Sequence, residues 1–242
     1  MPELVPPHGS ATLKPLLLDP DQRTEAAANA ARLKVVPMSS REVSDLLMLG
    51  MGAYTPLDGY MGHDDWRGVS TDMRLASGVF WPIPITLSST AELADSIAIG
   101  EKVALADAES AVILGTLEVS EKYAIDARLE CSNVYRTTDE AHPGVHKVMA
   151  QGAINLAGRV SVICEADYPN TYPDLYVHPA QSRAMFAERG WSKVAAFQTR
   201  NPMHRSHEYL TKIAIEVTDG VFIQQVLGKL KQGDLPAAVR TR

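Results

Sequence analysis

Cysteine is nearly missing. Cys131 and Cys164 are the only two in 242 residues, too few for a disulfide framework or a four-cysteine zinc site. No apolar run approaches the roughly 18 residues that a membrane-spanning helix needs. The opening Met1-Pro2-Glu3-Leu4-Val5-Pro6-Pro7-His8 has no basic segment followed by an apolar one. No secretory signal is therefore expected, and the cytoplasm is the expected compartment. A basic excess is also missing. The formal net charge of −6 argues against broad electrostatic binding to nucleic acid, although placed arginines and amides can still capture a small anion. What is present is 45% hydrophobic and 21% charged residues. That is the composition of a folded chain, long enough for one large domain or two small ones.

The densest chemistry lies late, from Lys193 to Leu210. Val194-Ala195-Ala196-Phe197 is a short apolar run with the length of a buried parallel strand. Asn201-Pro202 then reads as a helix start, with Asn201 as N-cap and Pro202 at the first helical position. Gln198, Thr199, Arg200 and Asn201 fall where the strand gives way to the helix. Free N–H groups and the helix dipole converge at such a joint, which is where α/β folds bind phosphates. His204 and His207, three apart, are expected on one face of the new helix within its first turn and a half. Each residue alone is compatible with an ordinary solvated joint. Together, an arginine, two amides, a hydroxyl and two imidazoles at an anion-friendly terminus point to a site.

The rest of the chain supplies the frame. Residues 21–33 are alanine-rich and helix-compatible. Ser39, followed three residues on by Glu42, forms a capping box that opens a helix over 41–49. Val43, Leu46, Leu47 and Leu49 give that helix a core face, and Gly50 and Gly52 end it. Residues 52–62 form a turn-rich loop. A strand-like pattern begins at 80–87, and 102–107 and 111–119 read as two strands joined by a polar turn. The second half of residues 1–165 is therefore expected to be mainly short strands without alternating helices. Residues 134–146 are the most polar loop of this region. His142 and His146 stand four apart there, but Pro143-Gly144 breaks any helix that would align them, so no metal site is expected. Residues 160–164 read as a closing strand. Pro169, Pro173 and Pro179 then mark a linker.

Beyond it come a helix over 180–189 stopped by Gly190, the strand already described, and a helix over 204–217 with Leu210, Ile213, Ala214 and Val217 on one side. Residues 220–223 and 226–227 follow as a β segment. Helix–strand–helix–strand is the grammar of a parallel α/β domain. The division expected is residues 1–166 and residues 167–242. Two or three strand–helix units make a poor parallel sheet, which needs cover on both faces. The α/β part is therefore expected to belong to a larger domain than these residues supply.

Gln198-Thr199-Arg200-Asn201-Pro202-Met203-His204-Arg205-Ser206-His207 closely resembles the signature of the ATP sulfurylase (sulfate adenylyltransferase) family. Further segments resemble the family in the same order. These are Gly52-Ala53-Tyr54-Thr55-Pro56-Leu57-Asp58-Gly59-Tyr60-Met61, then Val134-Tyr135-Arg136-Thr137-Thr138-Asp139 with His142-Pro143-Gly144-Val145. Gly228-Lys229-Leu230-Lys231-Gln232-Gly233-Asp234-Leu235-Pro236 follows, in the form found in dissimilatory sulfur-oxidising bacteria. Gln224-Gln225 stands ahead of Gly228 where many members have His-Pro. A later Gly-Arg-Asp-His-Ala-Gly motif of the family does not occur in the 242 residues.

The resemblance implies an N-terminal PUA-like β domain followed by a partial, doubly wound nucleotidyltransferase α/β domain. It implies ATP + sulfate ⇌ adenosine 5′-phosphosulfate + pyrophosphate, with Mg²⁺ accompanying ATP as substrate and no tightly bound cofactor. It further implies that Gln198 and Arg200 bind sulfate, and that Gln198, Thr199, Arg200, Asn201, His204 and His207 bind ATP. Thr199, Arg200, Asn201, His204 and His207 would be catalytic, the two histidines by stabilising charge on the α-phosphate and pyrophosphate. The partners implied are small molecules and other copies of the chain, not nucleic acid or membrane.

Two other readings share parts of this pattern. One is a related nucleotidyltransferase with a different acceptor, since a His-x-x-His at the same turn is common to that superfamily. The Gln198-Thr199-Arg200 prefix favours sulfate. The other is a PUA-like binding module without activity. Binding nucleic acid would want a basic stripe or stacking aromatics, and residues 1–165 offer neither clearly.

Overall fold

A computed structural model describes residues 4–227 and 235–240 of the protein. The sequence readings of Met1 to Glu3 and of the loop 228–234 lie outside the described residues. The chain divides into two units: residues 6–179, and residues 180–242 together with 1–5.

In residues 6–179 the order is α1 (Pro20–Ala30), β1 (Val35–Met38), α2 (Ser40–Gly50), β2 (Gly59–Tyr60), α3 (His63–Asp72), β3 (Leu87–Ser89) and α4 (Ala91–Ser96). Then follow β4 (Lys102–Asp107), β5 (Ile113–Ala124), α5 (Ala127–Val134), α6 (Pro143–Met149), β6 (Ile154–Val162) and α7 (Tyr168–Thr171). The sheet runs β1-β4-β5-β6-β2, with β3 also on β6. Only β1 on β4 is parallel among these pairs. β4, β5 and β6 form its centre, antiparallel and consecutive, so register is carried from one long strand to the next. Side chains of β4 go alternately to both faces. Val103 and Leu105 join Leu46, Leu47 and Leu49 of α2, with Leu117 and Leu156, in the main core. Ala104 packs on the other face with Ala30 of α1 and with Ile163.

The capping box at Ser39 forms as the sequence predicts. The Glu42 N–H donates to the Ser39 hydroxyl, and the Ser39 N–H donates to Glu42 Oε2 at 2.8 Å. Three expectations change. The 80–87 segment is not a strand, because Pro82 and Pro84 have no N–H to give a ladder; Phe80 makes only an isolated bridge with Arg74, and β3 begins at Leu87. The second half of residues 1–165 is not mainly short strands. It carries α4, α5 and α6 between strands, and β5 and β6 are 12 and 9 residues long. Pro143 starts α6 rather than breaking a helix. It sits in the first turn, where its missing N–H costs nothing, and His142 Nδ1 accepts from Gly144 and Val145 N–H at 3.2 and 3.4 Å.

The second unit holds α8 (Pro179–Glu188), β7 (Val194–Thr199), α9 (Arg205–Val217), β8 (Gly220–Gln225) and α10 (Ala237–Arg240). Gly190 stops α8 as expected, at φ 69°, with Trp191 N–H donating back to Phe186 C=O at 2.9 Å; this is the closing bond of a Schellman end. β7 and β8 pair parallel without a shift, from Val194↔Gly220 to Thr199↔Gln225. Asp219 fastens their start. Its carboxylate accepts from Lys193 N–H, Ser192 N–H and the Ser192 hydroxyl, and those bonds hold it below the usual carboxylate range. Among the described residues no helix is long and apolar enough to cross a membrane.

Candidate active site

β7 is a strand because Val194, Ala195 and Phe197 are apolar and its partner β8 opens with Gly220, Val221 and Phe222. At the carboxyl ends of the two strands the residue types change to amides. Gln198 is paired with Gln224 in register, and Gln198 Nε2 donates to Gln224 Oε1 at 3.1 Å. The next position, Thr199, is buried. Its carbonyl accepts the Val226 N–H at 2.9 Å, which continues the strand pairing by one residue.

The chain does not enter a helix at Asn201-Pro202. The Thr199 hydroxyl accepts the Asn201 N–H at 3.1 Å and donates to the Asn201 carbonyl at 2.8 Å. This local loop outcompetes a helical start, in the way that Ser and Thr hydroxyls offer the backbone an alternative to helix. The helix begins at Arg205, with His204 in extended conformation as its N-cap residue. His204 and His207 therefore occupy the cap and the third helical position, not one helical face. They still come together: their ring centroids are 3.8 Å apart, and Phe197 of β7 backs His207 at 5.4 Å.

The hydrogen bonds give the imidazoles a direction. His204 N–H donates to His207 Nδ1 at a long 3.5 Å, and the Ser206 hydroxyl lies 2.9 Å from His204 Nδ1. A neutral His207 whose Nδ1 accepts carries its proton on Nε2. Arg200 lies in the loop between β7 and α9, half-buried, and its carbonyl accepts from Arg240 Nη1 at 2.9 Å. Gln198, Asn201 and His204 are exposed.

Gln198, Thr199, Arg200, Asn201, His204 and His207 thus all lie on one strand end, the loop leading into α9 and the first turn of α9. Gln224 and Arg240 join them, and sequence reading assigned a role to neither. Gln224 was findable: it occupies in β8 the place that Gln198 occupies in β7. Arg240 was not, since it arrives from a separate segment. One hydroxyl–imidazole contact is present, Ser206 with His204 Nδ1. The groups are donors and cations converging on a loop and helix start, suited to holding and charge-stabilising an oxyanion. Among the described residues no group of three or more His, Cys, Asp or Glu is placed to hold a metal ion.

Residues 5–165 match the family model of a PUA-like domain, and residues 173–242 match that of ATP-sulfurylase. The chain is 58% identical over 238 residues to a sulfate adenylyltransferase of Chlorobium chlorochromatii, covering 98% of this chain and 59% of that one. It is 57% identical over 244 residues to a sulfate adenylyltransferase of Syntrophobacter fumaroxidans, covering 100% and 60%. The chain thus spans about three-fifths of the length of these relatives. Among solved structures, a hexameric APS kinase from Thiobacillus denitrificans superposes with a TM-score of 0.72 at 30% identity, over 96% of this chain and 41% of that one.

Proposed function

The chain belongs to the PUA-like family over residues 5–165 and to the ATP-sulfurylase family over residues 173–242, and from that premise we propose that the protein acts as a sulfate adenylyltransferase. The reaction is ATP + sulfate ⇌ adenosine 5′-phosphosulfate + pyrophosphate. A sulfate oxygen attacks the α-phosphorus in line, a P–O bond to sulfate forms, and the bond to the bridging oxygen breaks. The electron pair leaves with pyrophosphate, and no covalent enzyme intermediate arises. The observation that carries the reading is the gathering of Gln198, Thr199, Arg200, Asn201, His204 and His207 where β7 passes toward α9.

Gln198 and Arg200 hold sulfate, whose oxygens a guanidinium meets with two parallel bonds. Thr199 and Asn201 orient the ATP phosphates. His204 and His207 donate to the charge that builds on the α-phosphate and the leaving pyrophosphate. A neutral His207 whose Nδ1 accepts the His204 N–H carries its proton on Nε2, which supports that donor role. No general base is required, because sulfate arrives ionised. Catalysis in such a transfer is positioning and charge stabilisation. Mg²⁺ comes with the nucleotide as MgATP and is held by its phosphates. Residues 1–166 form the PUA-like domain in this reading and 167–242 the catalytic part, in a cytoplasmic protein that assembles with copies of itself.

Pyrophosphate release from ATP is expected only with sulfate or an analogue such as molybdate present. Release without it, or a requirement for another acceptor, overturns the proposal. Arg200→Ala is expected to lower turnover by about 10²–10³-fold, the usual effect of losing one transition-state donor, with an unchanged melting curve. Near-normal turnover removes Arg200 from the site.

A further inference from the structure

Arg240 is only 5% exposed, a cation almost wholly removed from water. Its Nη1 donates to the carbonyls of Arg200 at 2.9 Å and Val226 at 2.6 Å, the residues that directly follow β7 and β8. Gln225 Nε2 donates to the Arg240 carbonyl at 3.1 Å. One nitrogen of the guanidinium therefore ties together the two strand ends. The other two, Nε and Nη2, are buried and make no hydrogen bond with a described residue.

Those two nitrogens form a particular pair. Nη1 lies on the Cδ side of the guanidinium. The Nε–H and one Nη2–H project side by side from the opposite edge, and this is the fork that meets two oxygens of an oxyanion with parallel bonds. A buried cation with such a fork unpaired is costly, and Arg240 makes no ion pair with a described residue. It also sits at the carboxyl ends of adjacent parallel strands, the general position of ligands in open α/β sheets.

We propose that the Nε/Nη2 fork of Arg240 is an oxyanion subsite beside the loop that carries Arg200, taking a tetrahedral oxyanion as its ligand. The anion is sulfate or a phosphate group of the nucleotide or pyrophosphate, and its identity rests on the function proposed above. Nη1 fixes the Arg200 backbone while the fork holds the anion, so one residue couples substrate binding to the geometry of the loop.

Equilibrium dialysis of the 242-residue chain against labelled sulfate and, separately, labelled pyrophosphate tests this. The protein is expected to bind at least one of them. Arg240→Lys, which keeps the charge and a donor for the two carbonyls but loses the fork, is expected to bind about ten- to hundred-fold more weakly, as for loss of charge-assisted bonds. Arg240→Gln is expected to behave alike, and melting curves check that both variants fold. As a readout that needs no variant, the Arg240 Nε–H resonance of the protein is expected to shift on titration with the bound anion. No binding by the protein, variants that bind as well as the parent, or an Nε–H signal blind to the anion each overturns the proposal. Pyrophosphate binding lost in the variants, with sulfate ignored throughout, keeps the Arg240 subsite and counts against sulfate as the acceptor. Sulfate binding untouched in both variants does the reverse.

Discussion

Glu42 and Asp45 lie three apart on α2 and are both buried, yet their surroundings treat them differently. Glu42 accepts from the Ser39 N–H and hydroxyl on one oxygen, and from the Ser88 N–H and hydroxyl on the other, all within 2.9 Å. Its two oxygens thus join the cap of α2 to β3. Among the described residues Asp45 has only the Tyr54 hydroxyl at 3.2 Å and Arg41 at 3.9 Å. Burial outweighs these, and the Asp45 carboxyl is pushed from 3.8 up to about 6. The folded protein therefore keeps a proton that the unfolded chain releases. The associated stability is complete below about pH 4 and is lost as pH rises through about 6, by roughly 3 kcal/mol. Asp45→Asn retains an acceptor for Tyr54 and removes the titration. Urea melts are expected to show the stability of the parent falling relative to the variant between about pH 4 and pH 6.5. Parallel curves across that range sink the assignment.

At the scale of elements, two glycines separate steric need from conformational need. A Cβ at Gly59 in β2 meets the Gly158 carbonyl oxygen at 1.9 Å, so Gly59→Ala forces the β2–β6 pair apart. Gly190, after α8, has a φ of +69° but open space around it, so Gly190→Ala pays only for the left-handed backbone. Thermal melts are expected to report a loss of about 3 kcal/mol for Gly59→Ala, toward the upper end of overpacking effects. Gly190→Ala is expected to lose about 1 kcal/mol, the smaller effect of an L residue in that conformation. A reversed order is the failing result.

Which elements were legible follows from the same local-versus-distant distinction. The Ser39 box, the Gly190 stop and the Val194 strand are written in residues a few positions apart, and the structure keeps them. His142-Pro143 was misread because proline breaks a helix interior but suits its first turn, and nothing local says which one applies. Asn201-Pro202 fits the rule for a helix start, yet the Thr199 hydroxyl holds Asn201 from both sides and moves the start to Arg205. Arg240 was illegible as a site residue because 40 positions separate it from the Arg200 carbonyl it holds.

Over the whole molecule, apolar burial is very uneven. Among the described residues every buried hydrophobic side chain lies between Ala30 and Ile163. In the second unit the apolar side of α9 faces outward, with Leu210 53%, Ile213 42% and Val217 71% exposed. β7 and β8 are thus held mainly by their parallel backbone pairing and by the Asp219 fastening, with little of the cover that a parallel sheet needs on both faces. Backbone bonds without apolar burial open cheaply, since local opening is governed by how much packed surface must be given up. Hydrogen exchange of the 242-residue chain is therefore expected to show the β4–β5–β6 amides as the most protected, exchanging only through global unfolding. The β7 and β8 amides are expected to exchange at least about 10²-fold faster, as for opening that costs about 3 kcal/mol less. Binding of an oxyanion at Arg240, which ties the ends of both strands, should slow exchange at Thr199 and Val226 ahead of the rest of the unit. Equal protection in the two sheets would mean that the β7–β8 pair is covered in solution by a surface it does not share with its own helices.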